Sequence, residues 1–129
     1  MSKPLILCID DEEVGLRIRR MVLERAGYRV LTATDGRAGV GLFSDESVQA
    51  VVLDYFMPRM NGGDVAKEMR SLRPEVPIIL LSAYINLPAE VVSMVDCTIL
   101  KGEGPERLLA KLRDLLPEQE STPAPETLV

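Results

Sequence analysis

Five short apolar runs, each followed closely by a polar or charged residue, alternate along the chain with longer stretches of helical periodicity. Runs of about 4–8 apolar residues are short for buried helices and match strands covered on both faces. The first, Pro4 to Ile9, is followed at once by Asp10-Asp11-Glu12-Glu13. The second, Tyr28 to Ala33, is diluted by Arg29 and Thr32, as suits an edge strand. Val48 to Leu53 closes on Asp54, Val76 to Leu81 precedes Ser82-Ala83-Tyr84, and Thr98 to Leu100 ends at Lys101.

The intervening stretches read as helices. Val14, Ile18, Met21, Val22 and Arg25 recur at helical spacing and predict a first helix to about Ala26, with Gly27 as its C-terminal cap. Asp35 is placed to cap a second helix carrying Ala38, Leu42 and Phe43. Val65, Met69 and Leu72 mark a third, stopped before Pro74. Pro88 suits the first turn of a short fourth helix with Val91, Val92 and Val95 mainly core-facing. Pro105 and Glu106 start a fifth, with Leu108, Leu112 and Leu115 on one face and Pro117 at its end.

Strand and helix in strict alternation predict an α/β fold with a parallel sheet. Strands one, three and four are the most apolar and belong at the centre. Right-handed crossovers then favour a doubly wound, five-stranded sheet of order 2-1-3-4-5, a flavodoxin-like three-layer sandwich. One domain is expected over residues 1–117. Residues 118–129, rich in Pro and acidic or small polar side chains without periodicity, are expected to be a disordered tail.

Composition excludes several chemistries. The chain has no histidine, which removes Ser/His/Asp triads and most zinc sites. A net charge of −5 argues against nucleic acid or a membrane surface as a direct partner. Cys8 and Cys97 lack metal or redox spacing and read as reduced thiols in a cytoplasmic protein, with Cys8 a small buried hydrophobe. No apolar run approaches the ~18–20 residues of a membrane span.

The predicted sheet order brings Asp10, Asp11 and Asp54 to one crevice, with Ser82 and Lys101 on the same rim. Taken singly, each has a plain reading: Asp54 as a turn residue, Asp10-Asp11 as helix N-terminal charges, Ser82 as a cap, Lys101 as a surface charge. Their convergence outweighs those readings. Clustered carboxylates repel one another unless a cation intervenes, and an oxygen-only site with room for phosphate suits Mg²⁺ or Mn²⁺. A carboxylate can also attack phosphorus, with Lys101 and Ser82 neutralising developing charge.

The residues Ile9-Asp10-Asp11-Glu12, Leu53-Asp54, Met57-Pro58, Met60-Asn61-Gly62, Ser82-Ala83 and Lys101 resemble the receiver domain of two-component response regulators, over about residues 4–116. The resemblance implies a phosphoacceptor at Asp54 and metal ligation by Asp11, by Asp10 directly or through water, by Asp54, and by the Phe56 backbone carbonyl. It implies that Lys101 pairs with the phosphoryl group and that the Ser82 hydroxyl moves to bind it. The implied donor is a phosphohistidine on a sensor kinase or phosphotransfer protein, and the implied output is a binding surface formed by helix 4, strand 5 and helix 5. Such a domain catalyses only its own phosphorylation and dephosphorylation, and this one is expected to be either a stand-alone receiver or a receiver cut from a larger protein.

The chain departs from the family pattern in ways that bear on signalling. Thr98 stands three residues before Lys101, where the family usually has Tyr or Phe, leaving Tyr84 to take part of that aromatic's role. Gly102-Glu103-Gly104 follows the lysine in place of a cis proline, so a trans bond or a more mobile loop is expected. Phe56 and Tyr84, two positions beyond Asp54 and Ser82, are expected to slow attack by water on a phosphorylated site. The principal rival is a receiver fold that binds partners without phosphorylation. An aspartyl phosphatase fits less well because Asp10-Asp11-Glu12 is not Asp-x-Asp, and flavin binding lacks a phosphate loop after the first strand.

Overall fold

The computed structural model describes residues 3–116; the predicted tail lies outside them. The strands are β1 (Leu5–Ile9), β2 (Arg29–Ala33), β3 (Ala50–Asp54), β4 (Ile78–Ser82) and β5 (Cys97–Leu100). They pair in parallel in the order β2-β1-β3-β4-β5, as the apolar ranking of the strands implies. The helices are α1 (Glu13–Arg25), α2 (Gly36–Asp45), α3 (Gly62–Leu72), α4 (Ala89–Ser93) and α5 (Pro105–Leu115).

Alternation along the strands divides the core between two faces. Leu5, Leu7 and Ile9 of β1 join Val51, Leu53, Ile78 and Leu80 beneath α2, α3 and the Val91 side chain of α4. Ile6 and Cys8 join Ala50, Val52, Ile79 and Leu81 beneath Leu16 and Leu23 of α1 and Leu108 and Leu112 of α5. All five residues of β1, β3 and β4 are buried, and each large apolar side chain contributes about 1.5–3 kcal/mol. Full burial pushes the Cys8 thiol up to about 12, so it behaves as a hydrophobe.

The predicted Asp35 cap of α2 forms, α3 carries a capping box of its own, and Pro88 is the N-cap of α4 rather than part of its first turn. Asp35 Oδ1 accepts a 2.7 Å hydrogen bond from the Ala38 amide, and Asn61 with Asp64 closes a capping box on α3. Gly27 follows α1 with φ +102°, the left-handed conformation of a helix C-cap.

Several helix faces differ from expectation. Val14, Ile18 and Met21 are exposed, and α1 rests on the sheet through Leu16 and Leu23. The two leucines lie seven residues apart, two turns along one stripe, and their burial over Ile6 and Cys8 sets the rotation of the helix. In α2 the buried positions are Gly36, Gly39, Val40 and Phe43, and Ala38 faces out. A Cβ on Gly39 would come within 2.4 Å of Ile9 Cδ1, so the missing side chain permits close helix–strand contact. Leu72 and Val92 are also exposed, whereas Val65, Met69 and Val91 are buried as predicted.

Gly62 holds the start of α3 against the end of β3. A Cβ there would lie 2.8 Å from both the Asp54 carbonyl oxygen and the Tyr55 Cα. Gly41, in α2, has nothing within 4 Å of its Cβ position. Gly62→Ala should therefore lower the urea-unfolding free energy by about 1–3 kcal/mol through overpacking. Gly41→Ala should raise it by up to about 1 kcal/mol.

Candidate functional site

The C-terminal ends of β1, β3, β4 and β5 deliver the site. Asp10 follows β1 and is only 1% exposed, and Asp54 closes β3 at 3% exposure. An isolated carboxylate would not remain charged at such burial, so its partners matter. Asp10 Oδ1 accepts a 3.0 Å bond from the Glu12 amide. Asp10 Oδ2 accepts from Arg19 Nη1 at 3.2 Å and from Lys101 Nζ at 3.4 Å. Lys101 Nζ also lies 2.8 Å from Asp54 Oδ1 and so bridges the two buried acids.

Asp11 is exposed on the same rim. Asp10, Asp11 and Asp54 each offer a carboxylate oxygen, and those atoms lie within 4.8 Å of one another. The donor set is all oxygen and anionic, which fits a hard divalent cation. Burial raises the pKa of Asp54, the Lys101 hydrogen bond opposes that, and the charges of Asp10 and Asp11 reinforce it. Burial acts to lower the pKa of Lys101, but its bond to Asp54 and the charges of Asp54 and Asp10 outweigh that and raise it. Lys101 is thus held as an ammonium.

Backbone bonds fix the rim. The Lys101 amide donates to the Ser82 carbonyl at 2.8 Å, and the Tyr55 amide to the Leu81 carbonyl at 2.9 Å. Ser82 is buried, and its hydroxyl faces its own loop: Oγ accepts from the Tyr84 amide at 2.9 Å and donates to the Tyr84 carbonyl at 3.0 Å. Phe56 is 70% exposed, and its ring meets that of Tyr84 edge to face at 6.0 Å between centroids. Thr98 is exposed. No cis peptide bond occurs among the described residues, so the Lys101–Gly102 bond is trans, as expected without proline. Gly102 and Gly104 adopt φ +93° and +95°, conformations that suit glycine in this loop.

Sequence reasoning thus anticipated Asp10, Asp11, Asp54, Ser82 and Lys101 on one rim. It missed Arg19. The signal was present, because Arg19 falls between Leu16 and Leu23 on the buried stripe of α1, where a charge needs a partner.

An acidic cluster with a bridging lysine thus lies at the switch point of a 2-1-3-4-5 sheet, at the strand ends where open α/β folds place their binding sites. The chain belongs to the response regulator receiver domain family, which it matches over residues 6–113. It is 30% identical to the response regulator protein TrrA of Thermotoga maritima, solved in complex with Mg²⁺ and BeF, with a TM-score of 0.83 over 88% of this chain and 99% of that one. The chemotaxis protein CheY4 of Vibrio cholerae is 27% identical with a TM-score of 0.83, over 89% of this chain and 100% of that one. Among curated relatives, the response regulator MprA of Mycolicibacterium vanbaalenii is 35% identical over 114 residues, 86% of this chain and 49% of that protein. A probable transcriptional regulator, ycf27 of Porphyridium aerugineum, is 36% identical over 119 residues, 90% of this chain and 49% of that protein. The chain spans about half the length of the curated relatives it matches. Receiver domains are signalling domains rather than conventional enzymes. Response regulators receive phosphate from histidine kinases, and the family binds Mg²⁺ at an acidic pocket. No helix among the described residues is long and apolar enough to cross a membrane.

The raised pKa of Asp54 carries a sign. The folded site binds a proton more tightly than the unfolded chain, so stability falls as pH rises from the ordinary carboxylate value of 3.8 through the raised one. Asp54→Asn should therefore melt higher than wild type at neutral pH without metal. The gain should shrink as pH falls below that window, which melting curves across acidic pH would read directly.

Proposed function

We propose that this chain is a phosphoacceptor switch in which Asp54 takes a phosphoryl group from the phosphohistidine of a sensor kinase or phosphotransfer protein. The observation that carries this reading is the Lys101 bridge between two buried carboxylates at the switch point of the sheet. A charged Asp54 kept beside an ammonium is a poised nucleophile. In the transfer, Asp54 oxygen bonds to phosphorus as the phosphorus–nitrogen bond of the donor breaks, and the imidazole nitrogen leaves with its electron pair. Lys101 is placed to follow the new negative charge.

The metal that fits is Mg²⁺, with Mn²⁺ as a chemical equivalent; the carboxylates of Asp11 and Asp54 would hold it, with Asp10 directly or through water, and the receiver resemblance adds the Phe56 carbonyl. When bound, it neutralises charge on the transferring group. After transfer, Ser82 exchanges its bonds to the Tyr84 backbone for a phosphoryl oxygen, and the surface of α4, β5 and α5 changes its partner preference. The exposed Val14, Ile18 and Met21 stripe of α1 begins beside Asp10 and Asp11 and offers the donor an apolar contact. The phosphoryl group either sets a downstream protein contact or is relayed onward. This reading places the domain in the cytoplasm, with no direct nucleic-acid contact of its own.

Incubation with Mg²⁺ and acetyl phosphate should add one phosphoryl group by intact mass, and Asp54→Ala should abolish the addition. An unmodified wild type would favour the receiver fold as an interaction module that works without phosphorylation.

The Phe56–Tyr84 contact supports a second expectation. Two exposed rings packed edge to face beside the site should hinder in-line water. Phe56→Asn should therefore shorten the phosphoprotein half-life, measured by loss of the added mass. An unchanged half-life would contradict that role.

A further inference from the structure

The three carboxylates of the rim face two protein cations, and the second of these, Arg19, belongs to no part of the switch described above. Its position is built. Leu16 and Leu23 bury the same face of α1 on either side of it, so its side chain is carried toward the sheet and is 15% exposed. The guanidinium then meets Asp10, a residue 1% exposed, through Nη1 and Oδ2 at 3.2 Å.

The acceptor capacity of Asp10 is heavily used. Oδ1 takes the Glu12 amide, and Oδ2 takes both Arg19 and Lys101. A carboxylate has about four lone-pair sites, so a divalent ion must approach what remains and meet two positive charges as it does so. Lys101 is also held by Asp54 at 2.8 Å, whereas Arg19 has no second acidic partner among the described residues. Arg19 also lines an open cleft of about 360 Å³ between α1 and the Lys101–Pro105 loop. That cleft gives the side chain space into which to withdraw from Asp10.

We propose that Arg19 is a positioning residue that acts as an internal counter-cation: it holds Asp10 in the metal-free state and competes with the divalent ion for it. This inference rests on the metal reading given above. Two consequences separate it from a merely structural tether. Arg19 stabilises the metal-free fold more than the metal-bound one, because without the divalent ion only Arg19 and Lys101 offset the three acids. Arg19 also weakens divalent affinity, because its charge opposes the incoming ion.

The test uses the unphosphorylated chain with MgCl₂, read by titration calorimetry and by melting temperature with and without the ion. Arg19→Gln keeps a hydrogen-bond donor for Asp10 and removes the charge; it should bind Mg²⁺ roughly tenfold more tightly than wild type. It should also melt lower without Mg²⁺ and show a larger Mg²⁺-induced rise. Arg19→Lys, which keeps the charge, should remain near wild-type affinity. Binding by Arg19→Gln with none detectable in wild type would support the proposal in its strong form. Equal Mg²⁺ affinity in wild type and Arg19→Gln, with melting lowered equally in both conditions, would overturn it and leave the metal reading intact. Absence of binding in wild type and both variants would overturn the metal reading and this inference together.

Discussion

The Lys101 ammonium, 2.8 Å from Asp54 and 3.4 Å from Asp10, is the contact on which the rest of the rim depends. Two carboxylates, both nearly inaccessible to water, would otherwise repel each other in a poorly screened place. The lysine reaches them because β5 is pinned to β4, with its own amide on the Ser82 carbonyl. The acids arrive there because β1 and β3 pair in register, Ile9 against Leu53, so that Asp10 and Asp54 emerge side by side. Topology and electrostatics are therefore one problem in this fold. The 2-1-3-4-5 order creates the crevice, and the cations make it possible to line it with acid.

That same balance gives the site its chemical potential. A carboxylate whose pKa is raised by burial and by neighbouring acids is held charged mainly by its partners. The bonds that Lys101, Arg19 and Ser82 make there are therefore the ones that a change of charge beside Asp54 would disturb first. Ser82 is spent on its own loop, and the loop after Lys101 carries two left-handed glycines rather than a rigid proline.

Much of this was legible in the sequence because it is written in local patterns. Unbroken apolar runs marked β1, β3 and β4 as doubly covered strands, and the residues after them declared the site. Helix orientation was harder to read. In α1 two stripes compete, Val14-Ile18-Met21 and Leu16-Leu23, and periodicity alone favoured the longer one; packing on Ile6 and Cys8 selected the other. In α2 the contact made through Val40 and Phe43 is completed by Gly36 and Gly39, whose burial reflects close approach and leaves no mark in a hydrophobic pattern. Arg19 escaped notice for the related reason that a charged residue is read as solvent-facing until the helix is rotated onto its true face.

A crystal structure grown with Mg²⁺ and beryllofluoride tests the proposed acceptor role of Asp54. The predicted result is beryllofluoride on an Asp54 oxygen and a metal against Asp11, with Lys101 on a fluorine and the Ser82 hydroxyl turned away from Tyr84. Beryllofluoride bound at another carboxylate, or an Asp54–Lys101 pair left undisturbed at saturating ligand, would contradict it.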